Sequence, residues 1–265
     1  MRSCCVVVAV AFLLCLCGCG GSTSTPPSPN PSPQFTIVSG HWAMALTAQQ
    51  PFPAGISLLA DGAVSQSGTA LSGILHTEGS TCFDDNLDDL LVSGTVVGST
   101  FTLNTASLRG QVLSITATPV VTQAGAVIGL SGTWSLTGGP CASSGMSTLL
   151  FTAPLNGTWS GPLTNGLTGT VSATLTQTGP DAHGFFPVAG NFTFSGLPCF
   201  VSGAIASGSL RGLEVNILLN TSDSGQTQVI ASHLSGPAGE RLSAIFGVFS
   251  GTCSPSVGQA TLTKQ

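Results

Sequence analysis

Four carboxylates within six residues, Asp84, Asp85, Asp88 and Asp89, form the one charged cluster of this chain. Such a group could ligate Ca²⁺, which takes about six to eight oxygens. The spacing is not that of an EF-hand, because Asp89 stands where the loop needs Gly and Thr95 stands where it needs a bidentate Glu. A solvated loop or a short helical turn is the favoured reading of Asp84–Asp89. The four histidines, His41, His76, His183 and His233, do not recur between related parts of the chain and read as solvated surface groups. Arg109 and Arg211 both lie in Ser-Leu-Arg-Gly, and Arg211 shares parity with Val215 and Ile217, so it could face inward and hold an anionic ligand. Trp42, Trp134 and Trp159 could stack on sugars, although strand-borne Trp is usually core. No G-x-S-x-G elbow, P-loop, G-x-G-x-x-G after a strand or H-E-x-x-H is present. The expectation is therefore no catalytic residue, no cofactor and no metal. Arg211, Trp42 and Trp159 remain as candidate ligand-binding residues.

Composition narrows the partners. Only 6% of residues are charged and none is Tyr, against about 25% charged in an ordinary soluble domain. Without Arg2 the balance is ten acidic to four basic residues. Phosphate neutralisation needs a basic surface, so a nucleic-acid partner is not expected. Polarity comes instead from Ser, Thr, Asn and Gln, with 35 Gly.

These residues alternate with apolar ones. Val171, Ala173 and Leu175 are separated by Ser172 and Thr174; Phe192 and Phe194 flank Thr193; Val215, Ile217 and Leu219, and Leu242, Ala244, Phe246 and Val248, continue the pattern. A period of two puts one face inward and one outward on a strand. Gly-Pro, Asn-Gly, Asp-Gly and Ser-Gly pairs read as the turns between strands. No segment after the N-terminus shows a capped amphipathic helix. The fold class is all-β. Closure into small antiparallel meander barrels, about eight strands each, is the simplest way to remove exposed edges.

The chain is duplicated. An ungapped shift of 117 positions superimposes Gly40 on Gly157, Trp42 on Trp159, Leu58 on Leu175, Gly62 on Gly179, Gly73 on Gly190, and Cys82-Phe83 on Cys199-Phe200. Gaps then appear, and residues 84–91 read as an insertion in the first copy. Cys141 and Cys253 become equivalent at a shift of 112. The copies are placed at 35–152 and 153–265. If each copy carries the same bond, the disulfides are Cys82–Cys141 and Cys199–Cys253. A zinc site is not expected, because no CxxC or His pair has ligand spacing.

The N-terminus supplies an address. After Met1-Arg2-Ser3, residues 4–17 are an apolar run ending in Leu16-Cys17-Gly18-Cys19. The run is short for a bilayer span. Its end resembles the bacterial lipobox, so the chain resembles a bacterial lipoprotein. That resemblance implies a signal peptide over 1–18, cleavage after Gly18 and a lipid thioether on Cys19, with acyl chains contributing roughly 0.8 kcal/mol per buried CH₂. Gly20, where Asp would favour inner-membrane retention, implies the outer membrane or cell surface. Residues 19–34, rich in Gly, Ser and Pro, read as a linker lifting the folded part off the membrane.

Gly40-His41-Trp42 and Gly157-Thr158-Trp159 open the two copies. The motif resembles the first strand of calycin barrels (lipocalins and avidins), in which Trp closes the floor and a basic residue of the last strand packs over it. Lys264 could supply that group in copy two by a cation–π contact; copy one ends in STLLFT without one. The pattern is also similar to Gly/Ser/Thr-rich β lipoproteins of uncharacterised function. The expected function is a non-catalytic, lipid-anchored envelope module that binds a partner or serves structurally. A lipocalin-like carrier of a small apolar ligand is the alternative, and an enzyme ranks last.

Overall fold

The computed structural model describes residues 36–37, 39–49, 57–78, 80, 82–84, 88–121, 127–234 and 240–265. The signal segment 1–18, Cys19, the linker 19–34 and Asp85 lie outside the described residues.

Two closed antiparallel barrels of eight strands follow one another. The first contains β1 (Gly40–Ala48), β2 (Ser57–Ser67), β3 (Ala70–Glu78), β4 (Leu90–Val97), β5 (Thr100–Thr105), β6 (Val112–Val121), β7 (Val127–Thr137) and β8 (Ser143–Thr152). The second contains β9 (Gly157–Thr164), β10 (Gly169–Gln177), β11 (Phe186–Ser195), β12 (Ser202–Arg211), β13 (Glu214–Thr221), β14 (Gln226–Leu234), β15 (Arg241–Ser250) and β16 (Ser256–Lys264). Each is a meander closed by pairing its first strand with its last, β1 with β8 and β9 with β16. The all-β class, the strand number and the duplication follow the sequence pattern.

Every alternating apolar run named above points inward. Val171, Ala173, Leu175, Phe192, Val215, Ile217, Leu219, Phe246 and Val248 are all buried in the core of the second barrel. Phe192, Phe194, Phe200 and Phe246 form a chain of ring contacts through it, with centroids 4.9–6.3 Å apart. The first barrel has its own core, including Trp42, Met44, Leu46, Phe101, Ile115, Leu130 and Trp134. Both interiors are filled by side chains. The disulfides are Cys82–Cys141 and Cys199–Cys253, one per barrel, spanning 59 and 54 residues.

The outward positions explain how so little charge suffices. Ser65, Ser72, Ser93, Asn104, Ser114, Ser135 and Ser144 are cross-strand partners in one unbroken row over β2 to β8. Thr95, Thr102, Thr116 and Thr133 form a parallel row over β4 to β7. Paired hydroxyls bond to each other, as at Ser65–Ser72 (3.2 Å) and Thr95–Thr102 (3.0 Å). β-Branched and hydroxyl side chains suit a half-exposed pleated surface.

Two features of the duplication differ from the ungapped alignment. Trp42 pairs with Gly62 and Leu46 with Leu58, whereas Trp159 pairs with Ala173 and Leu163 with Gly169. Leu58 and Gly62 are therefore not the structural counterparts of Leu175 and Gly179. The β1–β2 connection is longer than the β9–β10 connection, and connection length sets hairpin register. Asp61-Gly62, read as a turn, lies in the middle of β2. The glycine is needed there because a Cβ would fall on the Ile74 carbonyl of β3.

Candidate functional site

Polar and titratable groups gather where the barrels meet. His41 on β1 and His76 on β3 face away from the first barrel's interior, yet only 1% and 2% of their surface is exposed. The second barrel covers them. This corrects the reading of both as solvated: their parity is outward, but a duplicated neighbour occupies the space that solvent would fill. His41 Nε2 donates to Asp61 Oδ2 (3.3 Å), which also accepts the Gly212 N–H (2.9 Å) from the β12–β13 turn. Thr152 Oγ1 donates to the Gly212 carbonyl (3.2 Å). Ala63 packs against the second barrel's core, and the His41 ring lies 4.8 Å from that of Phe186.

A second set of contacts runs through the acidic connection. His76 Nε2 donates to the His183 carbonyl. Asp89 accepts from His183 Nδ1 (3.0 Å) and lies 3.6 Å from His76 Nε2. Phe185 stacks on His76 at 4.2 Å, and the Arg211 guanidinium lies 5.1 Å from the centre of the same ring. Asp88 holds the connection to its own barrel, pairing with Arg109 (3.0 Å) and accepting from the Asp84 N–H (2.6 Å). Asp88 N–H donates to the Asp84 carbonyl at 3.0 Å. No group of three or more metal-ligating side chains occurs among the described residues. The acidic stretch acts here as a clasp between barrels.

The third cluster closes the floor of the second barrel. Trp159 is fully buried, and its Nε1 donates to the Leu155 carbonyl (2.8 Å). Lys264, the cross-strand partner of Trp159, lies over its ring at 5.5 Å and pairs with Glu240 at 2.9 Å. The cation–π contact expected of Lys264 is present. In the first barrel Phe151 is the partner of Trp42 and packs edge-on at 5.7 Å, an aromatic in place of the cation. Trp42 is 3% exposed and Trp159 0%, so neither offers a face to a sugar. Both belong to the cores.

His233 points into this floor, edge-on to Trp159 at 5.7 Å and 3.6 Å from Glu240. It too is buried, at 1% exposure, because its parity on β14 is that of inward Val229 and Ala231. Burial holds its pKa below the ordinary imidazole value although Glu240 pulls it upward. An unfolded chain then binds a proton that the folded chain does not. The contribution to stability is intact above about pH 6.5 and falls as pH drops below it, until the folded group itself protonates. Thermal unfolding followed from pH 8 down to pH 5 should show this loss, and His233→Gln should remove it.

Arg211 does not face the barrel interior. The two-residue turn Gly212-Leu213 pairs Arg211 with Glu214 and Leu210 with Val215. Leu210 is therefore the inward residue and is fully buried. Arg211 lies on the outer face at the junction. Arg109 is not its counterpart, since it sits between β5 and β6 rather than at the end of a strand.

Clefts flank these contacts. One of about 590 Å³ is lined by His41, Val64, Ile74, Phe151, Pro154 and Phe186 among others. A second, of about 300 Å³, is lined by Asp61, Leu59, Leu150, Arg211, Leu213 and Glu214 among others. Four polar atoms on three junction side chains lack hydrogen-bond partners among the described residues: His41 Nδ1, Asp61 Oδ1 and the Nε and Nη2 of Arg211. His41 and Asp61 make a His–Asp pair, and among the described residues no hydroxyl or thiol bonds to His41 Nδ1.

Asp61 is the junction residue that the sequence hides, and its loss has a distinct signature. Asp61→Ala leaves the Gly212 N–H and the His41 imidazole buried without an acceptor, at an expected cost of about 2 kcal/mol. Asp89 is 37% exposed, and Asp89→Ala should cost under about 1 kcal/mol. Urea unfolding of the two variants beside the parent tests the difference. No protein-family model matches this chain, and no match to a curated protein was found.

Proposed function

We propose that this chain is a non-catalytic module of the bacterial cell envelope, tethered by lipid on Cys19 and acting as a binding or structural unit. The observation that carries this reading is the use made of the polar groups. His41, His76, His183, His233, Asp61, Asp89, Glu240 and Lys264 are each engaged in holding a barrel floor or the junction, and Asp88 fastens the acidic connection to Arg109. The filled interiors support a scaffold over a carrier, because a carrier of lipocalin type needs a cavity inside the barrel. The hydroxyl rows on the outer face support a position in water, since a membrane-crossing barrel carries its apolar side chains outward. The Pro-rich linker after Cys19 supports the tether.

A small apolar ligand inside a barrel remains the second reading, on the calycin-like Trp159–Lys264 floor. Native mass spectrometry of the purified chain separates the two. The proposal expects the mass of the protein alone, and a stoichiometric co-purified lipid would favour the carrier. Turnover of a broad hydrolase and isomerase panel, abolished by one polar substitution, would contradict the non-catalytic reading.

A further inference from the structure

We infer that the smaller junction cleft binds a free α-amino acid with an apolar side chain. This rests on the reading of the chain as a binding module. The cleft combines three features. Its walls are apolar: Leu59, Leu150 and Leu213 line it and expose 48%, 39% and 36% of their surfaces. At one side lies Arg211, with Phe185 against its guanidinium. The Nε and Nη2 of Arg211 are closed to solvent and have no partner, and its cross-strand neighbour Glu214 does not supply one. Leaving charged donors buried and unpaired is costly. The complement of such a planar fork is a carboxylate or a phosphate.

The third feature decides between those two. Glu78, Glu214 and Asp61 line the same cleft, and Glu78, Arg211 and Glu214 also line an adjoining cleft of about 420 Å³. Three carboxylates lining the cleft with Arg211 repel a phosphate dianion. They accept a ligand that brings its own cation. A zwitterion places its carboxylate at Arg211, drawing the guanidinium toward the cleft, and its ammonium beside Glu214 and Glu78. Its side chain then covers the leucines. A volume of about 300 Å³, at the small end of ligand pockets, suits one amino acid and excludes a lipid.

Isothermal titration of the full chain in detergent with L-leucine tests the inference. Saturable binding is expected. L-Leucinamide, without the carboxylate, and glycine, without the apolar side chain, should each bind at least tenfold more weakly. Arg211→Gln should weaken L-leucine at least tenfold. Glu214→Gln should weaken L-leucine yet strengthen 4-methylpentanoate, which lacks the ammonium; a variant that merely loosened the fold would weaken both. Absence of saturable L-leucine binding, or equal binding by parent and Arg211→Gln, would overturn the inference and leave the tethered-module reading standing. Binding with conversion of L-leucine to another compound would keep the site and overturn the non-catalytic reading.

Discussion

Replacing Cys199 and Cys253 together by Ala is expected to lower the stability of the second barrel by about 4 kcal/mol. The bond closes 54 residues, and a loop of that size loses chain entropy in the unfolded state when it is cross-linked. The bond joins the β11–β12 connection to the β15–β16 connection, tying parts of the meander that share no strand pair. The same logic gives Cys82 and Cys141 a similar effect on the first barrel, with 59 residues enclosed. Guanidinium unfolding of each double variant, read by tryptophan fluorescence, measures it. An unchanged midpoint in either would show that the bond adds nothing beyond the strand ladder.

The second large effect is expected at Trp159. Trp159→Ala removes the largest fully buried side chain among the described residues and should cost about 3–5 kcal/mol. It also strands the Leu155 carbonyl and removes the surface on which Lys264 and His233 rest. Lys264→Met should cost far less, because the ammonium makes a partly exposed pair with Glu240, a long exposed hydrogen bond to the Pro154 carbonyl (3.4 Å) and a cation–π contact of roughly 0.5–1 kcal/mol. A Lys264→Met variant as unstable as Trp159→Ala would mean that the cation, and not the ring, closes the floor.

The inward faces were legible because alternation on a strand is a local property. Val215, Ile217 and Leu219 need only their own strand to declare their side. The face of Arg211 does not follow from the parity of Val215 and Ile217, because a turn separates it from them. In the Gly212-Leu213 hairpin the paired positions are 211 with 214 and 210 with 215, so odd residues inward on β13 require even residues inward on β12. The register of β2 was lost for a related reason, the unequal length of two connections. The histidines and Asp61 depend on something no single strand carries: the second barrel covers one outer face of the first. His41, Asp61, His76 and Asp89 sit in copy one, and His183, Phe185 and Gly212 in copy two. The residues at the contact differ between the two copies and therefore carry no repeat signal.

The acidic connection illustrates the same point. As a sequence it offered a cation site or a solvated turn. In the fold, Asp88 secures the turn to Arg109 while Asp89 reaches His183 and His76. The electrostatics are local and short, as they must be in a chain with so few charges.

The most direct test of the tethered-module account is metabolic labelling of the full chain with an alkyne palmitate in a Gram-negative host, followed by intact mass measurement. The account predicts a labelled protein that begins at Cys19, carries acyl chains there and loses the label in Cys19→Ser. An exported wild-type chain that is cleaved elsewhere and carries no lipid would contradict it.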